Sequence, residues 1–396
     1  MAGSTDARHD PLVSRIAALV GAGSARTRRD LAGALDVAPS TVSLRVAEML
    51  EAGLLRETGD GTSRGGRRPR TLELDADGSH VLVADVGGGH ARLAALDLAG
   101  VVVAVREERL DVGAGPDATL DRLSGALEGL RVDLPGGSRT RGVALALPGP
   151  VDVGSRTVRS PSRMPGWDGF PVGDRLEERW GVPVLVENDA NAMALAEHRR
   201  HPTALRHSVT VKAGTAIGSG LVLDGRLHRG ASAGAGDITH ARVAAAGGEP
   251  CSCGNTGCLE TIASGAALVS RLRAEGADVA STADVVRRAR DGDPLVTGAV
   301  RGAGRHLGEV LCTVVGFANP DAVLLGGALS TVDPFVAAVR SQLYEGCHPL
   351  VTEHLTIERA RTGADAGALG VGLLLLDQLL SVAAVLPVRP APEETP

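Results

Sequence analysis

Apolar residues recur at helical spacing through the first fifty positions. Leu12, Ile16 and Leu19 predict a first helix. Leu31 and Leu35 predict a second, with Thr27 as its N-cap and Asp30 three residues on. After the turn Asp36-Val37-Ala38-Pro39, a third helix is predicted over 40–52, with Val42, Val46, Met49 and Leu50 as its buried stripe and Gly53 as its terminator. A strand over 54–57, a Gly- and Arg-rich loop over 59–69 and a return strand over 71–74 complete this unit. From Val81 the pattern changes to strands: VLVADVGGG, ARLAALDLAG and VVVAVREERL in succession. A helix over 118–130, the strand GVALALPGP, the strand VPVLVEND and the helix ANAMALAEHRR follow. At Ser208 the theme restarts with SVTVKAGTAIGSG and LVLDGRLHRG, and DAVLLGGAL adds a late strand ending in two glycines. The duplicated strand–Gly-turn unit predicts an α/β body of two lobes with a cleft between them. The expected division is 1–77 for the small unit, 78–382 for the body with a restart near 205, and 383–396 for a Pro-rich, acidic, disordered tail.

Length and charge refine this picture. A chain of 396 residues holds two or three compact units. Aromatics make up only 2%, so the core rests on Val, Leu and Ala. The net charge of −6 excludes a polycation, so any nucleic-acid surface must be local. The longest apolar patch, GVGLLLLDQLLSVAAVL, is interrupted by Asp377 and Gln378 and reads as a buried or amphipathic helix. With no signal-type N-terminus, a cytoplasmic location is expected. Lys212 is the single lysine, read as a bias of the coding genome toward Arg.

The segment TRRDLAGALDVAPSTVSLRVAEMLEAGLL resembles a winged helix-turn-helix. Its third helix leaves Ser40, Thr41, Ser43, Leu44 and Arg45 available, and the small hydroxyls allow close approach to a major groove. The loop SRGGRRPR offers Arg64, Arg67, Arg68 and Arg70 among glycines, suited to a minor groove. A plain three-helix bundle with a solvated basic loop is the competing reading. Because acidic and basic side chains balance over the first 78 residues, binding would use clustered Arg.

Cys251, Cys253 and Cys258 lie within CSCGNTGCLE, where Gly254 and Gly257 permit tight turns between sulfurs. With His240 they make a closed four-ligand zinc set, structural rather than hydrolytic. Spacing alone leaves His240 the least fixed of the four.

Together these segments resemble the ROK family (repressors, open reading frames and kinases) over roughly residues 10–380. The match runs through DVGGG, LPGPVD, ENDANA, GTAIGSG, GASAGAGDITH with His240, CSCGNTGCLE and LLGGAL. The resemblance implies a sugar-kinase-like, actin-like body. It implies that Asp189, beside Asn188, is the base for a sugar hydroxyl in any active kinase. From the residues alone, a carboxylate between a strand and a helix also suits capping of the helix amides, a role compatible with the first. It further implies sugar contacts from Gly149, Asn188, Asp237, His240 and Glu260, with Asp237 shorter than the family's Glu. Asp85, Gly87, Gly88, Gly214, Thr215, Gly326 and Gly327 would form the nucleotide side, with Asp85 on Mg²⁺. That side departs from the family pattern at Gly89, His90 and Ala216.

The favoured expectation is a sugar-responsive transcriptional regulator, a repressor, acting on operator DNA as a homodimer or dimer of dimers with structural zinc. The alternative is an ATP-dependent sugar kinase, using Mg-ATP, with an accessory DNA-binding unit. A scaffold that binds DNA but no sugar is the third reading.

Overall fold

The computed structural model describes residues 11–60 and 70–382. Arg64, Arg67 and Arg68 and the tail 383–396 lie outside the described residues.

The first unit holds α1 (Pro11–Gly21), α2 (Arg28–Leu35), α3 (Pro39–Glu51), β1 (Leu55–Asp60) and β2 (Arg70–Leu74). Thr27 caps α2 as expected: its Oγ1 accepts the Asp30 amide at 3.2 Å and donates to the Asp30 carboxylate at 2.7 Å. The third helix starts one residue early because Pro39 fits a first turn, where no N–H is needed. Gly53 follows it at φ +65, a left-handed backbone that suits glycine. β1 and β2 pair antiparallel, Leu55 opposite Leu74.

The first lobe of the body contains β3 (Ser79–Val86), β4 (His90–Asp97), β5 (Val102–Arg109), α4 (Pro116–Val132), β6 (Arg139–Leu147), β7 (Val151–Asp152), β8 (Thr157–Val158), α5 (Val172–Trp180) and β9 (Val184–Asn188). α6 (Asp189–Arg200) leads out of it. The second lobe contains β10 (Ser208–Ala213), β11 (Ile217–Leu223), β12 (Arg226–Leu227), α7 (Glu260–Ala263), α8 (Gly265–Ala274), α9 (Thr282–Arg290), α10 (Pro294–Ala318), β13 (Ala322–Gly326), α11 (Asp333–Gly346), α12 (Pro349–Thr352) and β14 (Thr356–Arg359). α13 (Ala366–Val382) closes the described chain.

The two main sheets repeat one topology, β5-β4-β3-β6-β9 and β12-β11-β10-β13-β14. In each, three antiparallel strands are extended by two parallel ones. The expected two-lobed body with an internal repeat is therefore present. Covering both faces of the first sheet explains the unbroken apolar run in β3: Leu82 and Ala84 meet α4, while Val81 and Val83 share a core with α13.

α13 is the apolar patch read as a buried helix. Among the described residues it makes up most of the one stretch long and apolar enough to cross a membrane, Gly363–Leu380, yet more than half of that stretch is buried. It packs on α6, on β3 and β6, and on α1. One continuous cluster joins Val13, Ile16, Ala17 and Val20 of α1 to Leu375, Leu376 and Leu379 of α13. Arg141 of β6 reinforces this joint, donating to the Gly53 carbonyl at 3.0 Å and to Ser79 Oγ at 2.9 Å.

Candidate functional site

The cleft is built from the C-terminal ends of strands in both lobes, where an α/β sheet usually places its ligands. Asp85 ends β3, Gly149 follows β6, and Asn188 and Asp189 join β9 to α6. Facing them are Lys212 on β10 and Glu260 at the start of α7.

Asn188, not Asp189, is the N-cap of α6: its Oδ1 accepts the Asn191 amide at 3.0 Å. That corrects the capping role considered for Asp189. Asn188 Nδ2 donates to the Gly149 carbonyl at 2.8 Å, and Gly149 holds φ +100. The Pro-Gly-Pro turn is thus tied to the helix start, which is why glycine stands there.

Asp189 is fully engaged. Its Oδ1 accepts from Ala190 N at 2.8 Å and Asn188 Nδ2 at 3.3 Å, and its Oδ2 accepts from Lys212 Nζ at 2.8 Å. Lys212 Nζ also lies 3.8 Å from Asp85 Oδ1, an oxygen with no hydrogen-bond partner. Burial alone would lower the lysine pKa, but Asp189 and then Asp85 override it and raise it above its ordinary value. Burial pushes the Asp85 carboxyl up, opposed by the nearby Lys212. The lysine that sequence composition had explained away thus sits between the two acids of the cleft.

Two further ion pairs join the lobes, and neither was read from sequence. Arg229, after β12, donates to the fully buried Glu187 of β9 through Nε at 2.7 Å. Arg163, in the segment between β8 and α5, brings Nη2 to 2.8 Å from Glu260 Oε1, at an angle too poor for a hydrogen bond. Glu260 Oε2 accepts the Ile217 amide at 2.9 Å. Burial raises the Glu260 pKa, against the pull of that amide and of Arg163. Asp237 accepts the Thr239 amide at 2.8 Å, bending the chain just before His240.

His240, Cys251, Cys253 and Cys258 come together, their ligand atoms all within 4.8 Å of one another. His240 Nδ1 is 3.5 Å from Cys251 Sγ, and Cys253 Sγ is 3.7 Å from Cys258 Sγ. A tetrahedron with Zn–S bonds of about 2.3 Å has edges of about 3.7 Å, so the spacing fits a four-coordinate divalent ion. Burial and the neighbouring sulfurs push the Cys258 thiol up to about 12, crowding that a cation would relieve. The strand pairing Arg242–Cys258 and the Glu260 amide bond to the Thr239 carbonyl, 3.1 Å, fasten this cluster to the cleft acid.

The nucleotide-side residues are drawn inward. Gly87 N bonds the His90 carbonyl at 2.8 Å, and Gly214 N bonds the Ala216 carbonyl at 3.0 Å. Thr215 Oγ1 lies 3.2 Å from Thr282 Oγ1. The first amides of α8, Gly265 and Ala266, donate to the carbonyls of Gly214 and Thr215. Gly326 leaves no room for a Cβ beside Met193, and Gly327, at φ +79, none beside Ala213. Gly88 and Gly89 have open space around them.

In the first unit, Ser40, Thr41 and Ser43 are exposed and Leu44 is 56% exposed, all on α3. Arg45 is less available than expected, because its Nη1 holds Glu48 at 2.8 Å. Arg70 likewise bonds Glu57 at 2.8 Å.

Comparison with known proteins adds the following. The xylose repressor of Bacillus spizizenii is 28% identical over 87% of this chain and 89% of its own length. A glucokinase of Halalkalibacterium halodurans is 30% identical over 74% of this chain and 94% of its own. The crystal structure of a ROK family transcriptional regulator, described as a homologue of the E. coli MLC protein, superposes with a TM-score of 0.79 at 27% identity, covering 94% of this chain and 98% of that one. The ROK family pattern matches residues 81–378, and the chain belongs to the ROK family.

Proposed function

We propose that this chain is a sugar-responsive DNA-binding transcriptional regulator, acting as a repressor, in which a saccharide bound between the lobes alters operator binding. The observation that carries this is the single hydrophobic cluster uniting α1 with α13. A DNA-binding unit merely tethered to a kinase would need no shared core. The likeness to the xylose repressor extends over 87% of the chain and that to the transcriptional regulator over 94%, whereas the glucokinase leaves about a quarter of it uncovered.

In this reading residues 1–77 form a winged helix-turn-helix, with Ser40, Thr41, Ser43 and Leu44 at the groove and Arg64, Arg67 and Arg68 on the wing. Residues 78–382 form the sugar-binding body. Gly149, Asn188, Asp189, Asp237, His240 and Glu260 contact the sugar. His240, Cys251, Cys253 and Cys258 hold a structural zinc, which fixes the position of Glu260. Sugar that replaces part of the Arg163–Glu260 and Arg229–Glu187 bridging shifts one lobe against the other. In a homodimer, that shift changes the spacing of two DNA-reading helices.

The test is anisotropy titration of a duplex from upstream of the chain's own gene, with and without a panel of monosaccharides. At least one sugar is expected to weaken binding about tenfold or more, within the usual range of coupling. DNA binding indifferent to every sugar would sink the reading. The kinase alternative has Asp189 in its favour. It predicts sugar phosphorylation by Mg-ATP that Asp189→Asn abolishes.

A further inference from the structure

Magnesium–nucleotide does not fit the residues of this cleft. A divalent cation bound to a carboxylate sits about 2.1 Å from an oxygen. Asp85 and Asp189 are the acids available to hold one, and Lys212 Nζ already stands 2.8 Å from Asp189 Oδ2 and 3.8 Å from Asp85 Oδ1. A second cation at ligand distance would lie almost against the ammonium, at a side chain only 29% exposed. Repulsion there is screened far less than in water. The surroundings hold the acids still. Asp189 Oδ1 is taken by the Ala190 amide, and Gly367, at the start of α13, leaves no space for a Cβ beside the Asp85 carboxylate.

We propose that Lys212 is the resident cation of this cleft, replacing a divalent metal between Asp85 and Asp189, so that the site takes its effector with neither metal nor nucleoside triphosphate. The lysine does in one covalently attached group what a kinase achieves with a diffusible ion: it neutralises facing carboxylates and joins the lobes. It cannot bring a phosphate donor with it. The same cleft therefore binds without phosphoryl transfer. This deepens the regulator reading, on which it rests. Its failure appears as dependence on metal or nucleotide, whereas failure of that reading appears as DNA binding blind to sugar.

The experiment compares the wild-type chain with Lys212→Met and Lys212→Arg in thermal melts with and without MnCl2, alone and with ATP. Wild type and Lys212→Arg are expected to melt at the same temperature whatever is added. Lys212→Met is expected to melt lower and to recover several degrees with Mn²⁺, a recovery that a second substitution, Asp85→Asn, removes. A wild-type shift with Mn²⁺ or Mn²⁺-ATP that Asp85→Asn abolishes overturns the proposal. So does a folded Lys212→Met chain that ignores Mn²⁺. If Lys212→Met does not fold, electron paramagnetic resonance of Mn²⁺ with the wild-type chain decides. Free Mn²⁺ supports the proposal, and an Asp85-dependent bound signal overturns it.

Discussion

A single side chain can carry a signal that composition hides. Lys212 is the only lysine against forty arginines, and its position, two residues before the Gly214 turn, was visible in the sequence. What was not visible is that β3 and β9 deliver Asp85 and Asp189 to its ammonium, a relation between distant segments. The cluster of His240 with Cys251, Cys253 and Cys258, which could hold a metal ion, was legible because three of its members are local. On the proposed structural zinc, replacing Cys251 by Ser is expected to cut the bound metal, measured by elemental analysis, at least about tenfold. His80 offers a test of a different kind. Its Nδ1 and Nε2 meet Ser138 Oγ at 2.7 Å and Thr140 Oγ1 at 2.8 Å, and burial, then Arg131, lowers its pKa to about 4. The unfolded imidazole titrates near 6.5. Between these values the unfolded chain binds the extra proton, so stability is full above about pH 6.5 and falls as the pH drops toward 4. The loss should be on the order of 2–3 kcal/mol. A His80→Gln chain should lack that limb in denaturation measured across pH.

At the scale of elements, local rules located most of what they address. The Thr27 cap and the Gly53 terminator follow from nearest neighbours, whereas the burial of both faces of β3 comes from the distant α4 and α13. Helices α8 to α11 and strand β14 fell in stretches that the apolar pattern left unassigned, because their faces are defined by one another. The crossing of α6 and α13 is the element contact that ties the cleft to the amino-terminal unit. α6 begins at Asn188 and Asp189, and α13 lies across it with Gly370 against the Ala192 backbone, where no Cβ fits. Gly370→Ala should force the helices apart and destabilise the chain by about 1–3 kcal/mol in chemical denaturation. It should also weaken sugar-dependent DNA release more than DNA binding itself. Equal loss of both would mean that the crossing serves stability alone.

For the whole molecule, the repeated sheet topology was readable as a restart of strand and glycine turn near Ser208. The four cross-cleft ion pairs were not, since their partners lie 23 to 127 residues apart and no spacing rule connects them. Breaking the Arg229–Glu187 pair gives a molecule-wide test. Arg229→Met leaves Glu187 buried and without its cation, which should cost about 3–5 kcal/mol by thermal denaturation. Glu187→Gln with Arg229→Met should recover much of it, and no recovery would show that Arg229 acts mainly through packing.

The junction of α1 with α13 has a consequence for how the protein is made. Ala366 is synthesised some 345 residues after Gly21, so the amino-terminal helices wait through most of translation for the surface that completes their packing. A chain released early from the ribosome would carry the proposed DNA-binding segment without its buttress. Premature termination would then yield fragments cleared by proteolysis rather than a permanently bound operator blocker.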